Sequence, residues 1–147
     1  MDLYCDLLDH ISPYLRVSLE SVYKTTFPGS LQDISDLIDN GGQILGAFDG
    51  NTLVGFAKLI NIRCEGQSEI CISRIGSVRP EKGIGTLVLS TAIAIAADRG
   101  AETVHLAAYG EVRSWYVKRG FTPVKHENYG TMHRNTSLLR YKPFTNT

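Results

Sequence analysis

Residues 75–100, IGSVRPEKGIGTLVLSTAIAIAADRG, put a glycine pair where a backbone could hold phosphate. An apolar strand end leads through Lys82-Gly83-Ile84-Gly85 into a helix that carries no charge until Asp98 and Arg99. A helix start offers N–H groups with no intrahelical acceptor, and the positive end of its dipole faces the same way. Gly83 and Gly85 let the main chain approach a ligand and take conformations closed to other residues. Lys82 brings a positive charge to the same place, and Arg79 a second. Taken alone, Gly-x-Gly fits an ordinary turn before a helix equally well. Two nucleotide-binding loops are excluded by their ends. A Walker loop closes on Gly-Lys-Ser/Thr, whereas this one closes on Gly-Ile-Gly-Thr. A dinucleotide loop needs Gly-x-Gly-x-x-Gly and an acid closing the next strand; here Val88 holds the third glycine position and no such acid follows.

The elements that must position this loop follow from hydrophobic periodicity. Asp2–Tyr23 reads as helical, with Leu3, Leu7 and Leu8 on one face and Leu15, Leu19 and Val22 continuing the stripe. Ser12-Pro13 starts its second piece, and Phe27-Pro28-Gly29 breaks it. Ser30 reads as the N-cap of a short helix ending near Gly41. In that helix Leu31, Ile34, Leu37 and Ile38 face one way and Asp33, Asp36 and Asp39 the other. Gln43–Phe48, Thr52–Ile62 and Glu69–Val78 read as an antiparallel meander, turned at Asp49-Gly50-Asn51 and at residues 65–68. The helix over Gly85–Arg99 is closed by Gly100. Thr103–Ala108 is reached through that helix, so it is expected to pair parallel to the preceding strand. Glu111–Lys118 reads as a helix stopping at Gly120, and Thr122–Glu127 and Thr136–Lys142 pair around a loop containing Gly130. The sum is an α/β (α+β) layer fold, a mixed sheet with helices on both sides.

A chain of 147 residues that is 43% hydrophobic suits one compact domain over residues 1–147. Fifteen basic and fifteen acidic residues cancel, with no basic stripe, which argues against a nucleic-acid partner. The apolar run Leu87–Ala97 is too short for a bilayer, which takes roughly 20 residues. MDLYCDLLDH carries acids where a signal peptide carries bases. A soluble cytoplasmic protein with no membrane partner is expected. Cys5, Cys64 and Cys71 form no CxxC pair, and His10, His105, His126 and His133 lack metal-ligand spacing, so reduced thiols and no metal site are expected. His105, inside an apolar strand, reads as a satisfied core or edge residue.

Strand, KGIG loop, apolar helix, strand and then SWYVKRGF resemble the GNAT superfamily of acyl-CoA-dependent N-acetyltransferases. The family's loop reads Arg/Gln-x-x-Gly-x-Gly/Ala, here Pro80-Glu81-Lys82-Gly83-Ile84-Gly85. Its later helix ends in Tyr-x-x-x-Gly-Phe, here Tyr116-Val117-Lys118-Arg119-Gly120-Phe121. The order of elements matches from about Gln43 to Tyr141. The resemblance implies a mostly antiparallel sheet of about six strands. It implies acetyl-CoA as acetyl donor, no metal, and direct attack on the thioester by a primary amine of a small molecule or a protein. Cofactor contacts are implied for Ile75, Gly76, Ser77, Val78, Arg79, Lys82, Gly83, Ile84, Gly85, Thr86, Tyr109 and Tyr116. A strand bulge is implied near Ile75–Ser77, with N–H groups that polarise the acetyl carbonyl. Tyr116 is implied as general acid toward the sulfur. Aligned without gaps, EICISRIGSVRPEKGIG resembles the histone-acetylating branch and implies Glu69 as general base through water.

The chain also departs from the family. Pro80 stands where it has Arg or Gln, Tyr109 where many members have Asn, and the usual first strand is missing or very short. A second alignment sets Val78-Arg79-Pro80-Glu81 on the family's Val-x-Pro-Glu and shortens the loop. The row Asp33, Asp36, Asp39 and the residues Arg74, His126, Tyr129 and His133 are candidates for the acceptor side. The alternative function is a catalytically weak acyl-CoA-binding or protein-interaction module on the same fold, and a homodimer stays open.

Overall fold

The protein's structure, a computed structural model, describes residues 2–30, 33–64, 67–79, 82–108, 112–123 and 131–135. It begins with a strand where the leucine spacing predicts a helix. β1, Leu3–Leu8, pairs antiparallel with β2, Gln43–Asp49, from Leu3↔Asp49 to Leu8↔Ile44. Leu3, Cys5 and Leu7 alternate onto the core face, a period-2 pattern hidden within Leu3, Leu7 and Leu8. The open edge of β2 decides between the two periods, and the first strand, expected to be missing or very short, is present over six residues.

The second helical piece stands as expected. α1, Pro13–Thr26, has Pro13 in its first turn, and Ser12 Oγ accepts the Leu15 N–H at 3.2 Å. α2, Ile34–Asp39, is capped by Asp33, whose carboxylate accepts the Ser35 N–H at 3.3 Å. The expected cap, Ser30, instead bonds the Tyr23 hydroxyl at 2.9 Å. β3, Thr52–Cys64, and β4, Gln67–Ser77, complete the meander with β2. α3, Ile84–Asp98, carries the chain over the sheet to β5, Thr103–Ala107, which pairs parallel to β4. α4, Val112–Val117, β6, Thr122–Pro123, and β7, Thr131–Asn135, follow.

β7 inserts between β5 and β6, so among the described residues the order is β1-β2-β3-β4-β5-β7-β6, seven strands where about six were expected. The strand expected at Thr136–Lys142 lies outside the described residues, as does the Gly130 loop. β7 itself was not expected from the sequence; it places fully buried Met132 opposite Leu106 of β5.

Each face of the sheet has its own core. On one, Ile84, Val88, Leu89, Ala92, Ile93 and Ala96 of α3 pack against Leu45, Val54, Leu59, Ile70, Val104 and Leu106. Each large aliphatic side chain buried there contributes about 1.5–3 kcal/mol, which is why α3 is apolar nearly all round. On the other face, Leu19, Val22 and Tyr23 of α1 and Ile34 and Leu37 of α2 cover Ile44, Phe48 and Phe56.

Candidate functional site

Gly83 is the N-cap of α3 in a left-handed conformation, φ +76° and ψ 9°. A side chain there would cost about 1–2 kcal/mol of backbone strain. Gly83 has no side chain with which to cap the helix, no other described side chain caps it, and the first intrahelical bond runs from Leu87 N–H to the Gly83 carbonyl at 3.0 Å. The amides of Gly83, Ile84, Gly85 and Thr86 therefore have no acceptor within the helix. Fully buried Ile84 anchors this turn, and Lys82 beside it is exposed. Arg79 is drawn the other way. Its guanidinium meets Asp49 Oδ2 at 2.7 Å and, with the Asp2 amide, holds the Asp49 carboxyl below the usual carboxylate range. Pro80 and Glu81 lie outside the described residues.

β4 leads into this turn and is irregular two residues earlier than expected. Its register with β3 passes from Leu59↔Ile72 to Lys58↔Arg74 and skips Ser73. The bulge is thus at Ser73, and the pairs Ala57↔Ile75, Phe56↔Gly76 and Gly55↔Ser77 are regular. Gly76 answers instead to close packing, because a Cβ there would meet Thr26 at 2.8 Å and Phe56 at 3.0 Å. Toward β5, pairing ends at Ile72↔Leu106, so Ser73–Ser77 have no ladder partner on that side among the described residues. Ile75 and Val78 rest against the α3 core, and Ser77 Oγ accepts the Arg79 N–H at 3.2 Å.

α4 and the turn after it bring Trp115 and Arg119 to the start of α3, with Tyr116 in the same core. The Tyr116 ring is buried edge-on to Trp115 at 5.0 Å and Phe121 at 5.6 Å. Desolvation pushes its phenol up to about 12, with Arg119 opposing, so it is a neutral O–H donor at pH 7. Arg119 was not singled out by sequence reasoning. It is 6% exposed, and its guanidinium stacks 3.8 Å from the Trp115 ring centroid. Nη1 donates to the Trp115 carbonyl at 3.0 Å and Nη2 to Thr86 Oγ1 at 3.1 Å, while Nε has no partner among the described residues. Burial pulls its pKa below the ordinary arginine value. Trp115 in turn lies 3.5 Å from where a Cβ on Gly85 would stand, so α4 packs directly on the glycine loop.

The α2 face carries a second group of polar residues. Cross-strand pairs Lys58↔Arg74, Ile60↔Cys71 and Ile62↔Glu69 put Arg74, Cys71 and Glu69 there together. Glu69 Oε2 lies 3.1 Å from His105 Nε2, which also meets Thr103 Oγ1 at 3.1 Å. His105 is thus a satisfied, half-buried residue, as expected, with Glu69 as an additional partner. Burial pushes the Cys71 thiol up. His133 is opposite His105 in β7, whereas Tyr109, His126 and Tyr129 lie outside the described residues.

A cleft of about 260 Å³ on this face is lined by Asp36, Leu37, Asn40, Lys58, Ile60, Ser73 and Arg74. Lys58 is buried, donates to the Leu37 carbonyl, and has its pKa lowered by desolvation, with Asp39 opposing. The aspartate row is therefore more than a solvated face: Asp33 caps α2, Asp36 lines the cleft and Asp39 offsets Lys58. Among the described residues, no cluster of His, Cys, Asp or Glu could hold a metal ion, and no helix is long and apolar enough to cross a membrane.

The family model described as the acetyltransferase (GNAT) family matches residues 6–121. No curated protein matches the chain. Among solved structures the chain is similar to PaiA N-acetyltransferase from Thermoplasma acidophilum in complex with coenzyme A. Identity is 21% and the TM-score 0.67, covering 92% of this chain and 99% of that one. It is also similar to aminoglycoside 6'-acetyltransferase type Ii, at 18% identity and TM-score 0.72, covering 90% and 97%. A chain of the NatC complex bound to Gag peptide and CoA matches at 14% identity and TM-score 0.75, covering 92% and 99%. At these identities the structural likeness speaks for the fold alone.

Proposed function

The chain belongs to the GNAT acetyltransferase family, and from that premise we propose that it transfers the acetyl group of acetyl-CoA to a primary amine by direct attack. The observation that carries the reading is the left-handed Gly83 cap, which leaves the first-turn amides of α3 open at the end of β4. An anion seated there gains about 0.3–1 kcal/mol from the helix dipole besides its direct N–H bonds. The residues fit a diphosphate: the amides of Gly83, Ile84, Gly85 and Thr86 would hold it, with Lys82 beside them. Ile75, Gly76, Ser77 and Val78 would line the donor's path by their backbone, the β5 side of β4, unpaired there among the described residues, being the opening between the two strands.

Bound acetyl-CoA supplies a thioester carbon open to attack and a thiolate leaving group. The cleft beside Ser73 would receive the amine, with Asp36 and Asn40 as its acceptors for N–H groups. Glu69, steadied by His105, takes through water the proton that the amine sheds. The Ser73 amide, at the bulge, would donate to the acyl oxygen. Tyr116, neutral because it is buried, protonates the departing sulfur and recovers its proton from solvent. The N–C bond forms and the C–S bond breaks, and holding both partners in one place supplies much of the acceleration.

Thermal unfolding with acetyl-CoA, with CoA and without ligand tests donor binding, since saturation at 100 times Kd adds about 2.7 kcal/mol. Thiol release with a panel of small amines and a lysine peptide then tests transfer. Tyr116→Phe, checked to be folded, is expected to lower kcat about 10²–10⁴-fold. An unchanged kcat refutes the acid assignment, and binding without thiol release favours a non-catalytic acyl-CoA-binding module.

A further inference from the structure

We propose that Arg119 supplies the buried positive charge that receives the donor's diphosphate, in place of a cationic side chain at Pro80. The inference rests on the donor reading above and names a residue that the reading does not use. A guanidinium that is 6% exposed needs a counter-charge or a full set of acceptors, because an unpaired buried ion is costly. Arg119 has neither. Among the described residues its Nε has no partner and no carboxylate pairs with it, and its two bonds go to neutral oxygens of Trp115 and Thr86.

Its position says which anion would complete it. Nη2 ends on the hydroxyl of Thr86, and the amide of the same residue is one of the open donors of the first turn. The guanidinium thus reaches, at 3.1 Å, the side chain of a residue whose own amide belongs to the proposed cradle. The other candidate cations are placed differently, with Lys82 exposed and Arg79 on Asp49. The stack on Trp115 and the bond to its carbonyl hold the guanidinium in place before any ligand arrives, so little ordering remains to be done on binding.

A purely mechanical role, pinning α4 to α3, would make the same contacts, and the test separates the two. Acetyl-CoA and S-acetylpantetheine share the thioester and its arm, but only the first carries a diphosphate. Titrations of both ligands into wild type, Arg119→Met and Arg119→Lys, followed by ligand-observed NMR and calorimetry, give the comparison. Arg119→Met is expected to weaken acetyl-CoA about tenfold to a hundredfold, the range of one charged hydrogen bond. It should leave S-acetylpantetheine within about twofold. Arg119→Lys should recover part of the loss, since it keeps the charge but not the fork. If Arg119→Met does not fold, the lysine variant decides, by losing affinity for acetyl-CoA and not for S-acetylpantetheine. Equal losses for both ligands, or no loss for either, overturn the proposal. Wild type that binds S-acetylpantetheine but not acetyl-CoA overturns it too, and failure to bind either ligand overturns the donor reading itself.

Discussion

Gly55→Ala tests whether the sheet and the glycine loop form one mechanical unit. A Cβ at Gly55 would stand 2.8 Å from Ile84 Cγ2 and 3.0 Å from the Gly76 carbonyl oxygen, with an ordinary 3.6 Å to Ala47. Ile84 is fully buried and is the first residue of α3. The carbonyl belongs to β4 and has no rotamer to move. Relief must come from parting β3 and β4 or from pushing the first turn of α3 outward. Overpacking of this kind costs about 1–3 kcal/mol, while replacing glycine returns about 0.4–1 kcal/mol through the unfolded chain. One tight contact being to backbone, the strain belongs in the upper half of its range, for a net loss of about 1–2 kcal/mol. That corresponds to a melting point lower by roughly 2–8 °C for a chain of this size. Circular dichroism melts of the variant would measure it, with Gly29→Ala as control because a Cβ there meets nothing within 4 Å. Acetyl-CoA should bind the Gly55 variant more weakly, because the displaced turn carries the open amides. Wild-type stability would refute the packing argument. Lost stability with unchanged affinity would refute the link from β3 to the loop.

Two further outcomes follow from the α2 face. Burial depresses the folded-state pKa of Lys58 below 10.5, so between the two values the folded protein holds fewer protons than the unfolded chain. Stability should therefore rise with pH in that window and fall as pH drops through the folded value; melts of Lys58→Met should lack this component, and parallel curves for the two proteins would sink the assignment. Glu69→Gln should lower kcat/KM about 10²–10⁴-fold with acetyl-CoA affinity unchanged, and a variant that keeps the acidic limb of its pH–rate profile would show that Glu69 is not the base.

The parts of the fold that were legible in the sequence are those written in local pattern. A helix apolar on all sides, with Gly-x-Gly before it and Gly100 after it, can only be a central crossover, and α3 is one. β1 was not legible, because Leu3, Leu7 and Leu8 satisfy a helical spacing and the partner that overrules it, β2, lies far along the chain. Asp33 and Ser30 are equally good caps by type, and only the packing of Ile34 and Leu37 on the sheet selects Asp33. At the site, the loop and Tyr116 announce themselves as motifs. Arg119 does not, since Lys118-Arg119 reads as a pair of solvated cations until Trp115 and Thr86 are seen to enclose the second. Lys58 is hidden for the same reason, its carbonyl partner belonging to α2.

The Ser73 bulge has a cause that can be weighed. In a regular strand Ile70, Ile72 and Arg74 would share the α3 face, and Ile75 would turn to the other. Burying the Arg74 charge in the apolar α3 core would cost several kcal/mol. Turning Ile75 out would forgo about 1.5–3 kcal/mol. A skipped residue disturbs a ladder bond, worth about 0.5–1.5 kcal/mol net, and reverses both placements. The bulge wins, and the register records it: Ile75 rests on the α3 core while Arg74 joins Lys58 at the cleft. The isoleucines at 72 and 75, an odd number of residues apart around a serine and an arginine, were the signal in the sequence. The same core energetics that fix the strand also leave Ser73 without a cross-strand partner in β3, beside the cleft and where the described pairing with β5 stops. A proposed polarising group for the acyl oxygen thus comes from where two isoleucines and an arginine must go, with no specialised side chain required.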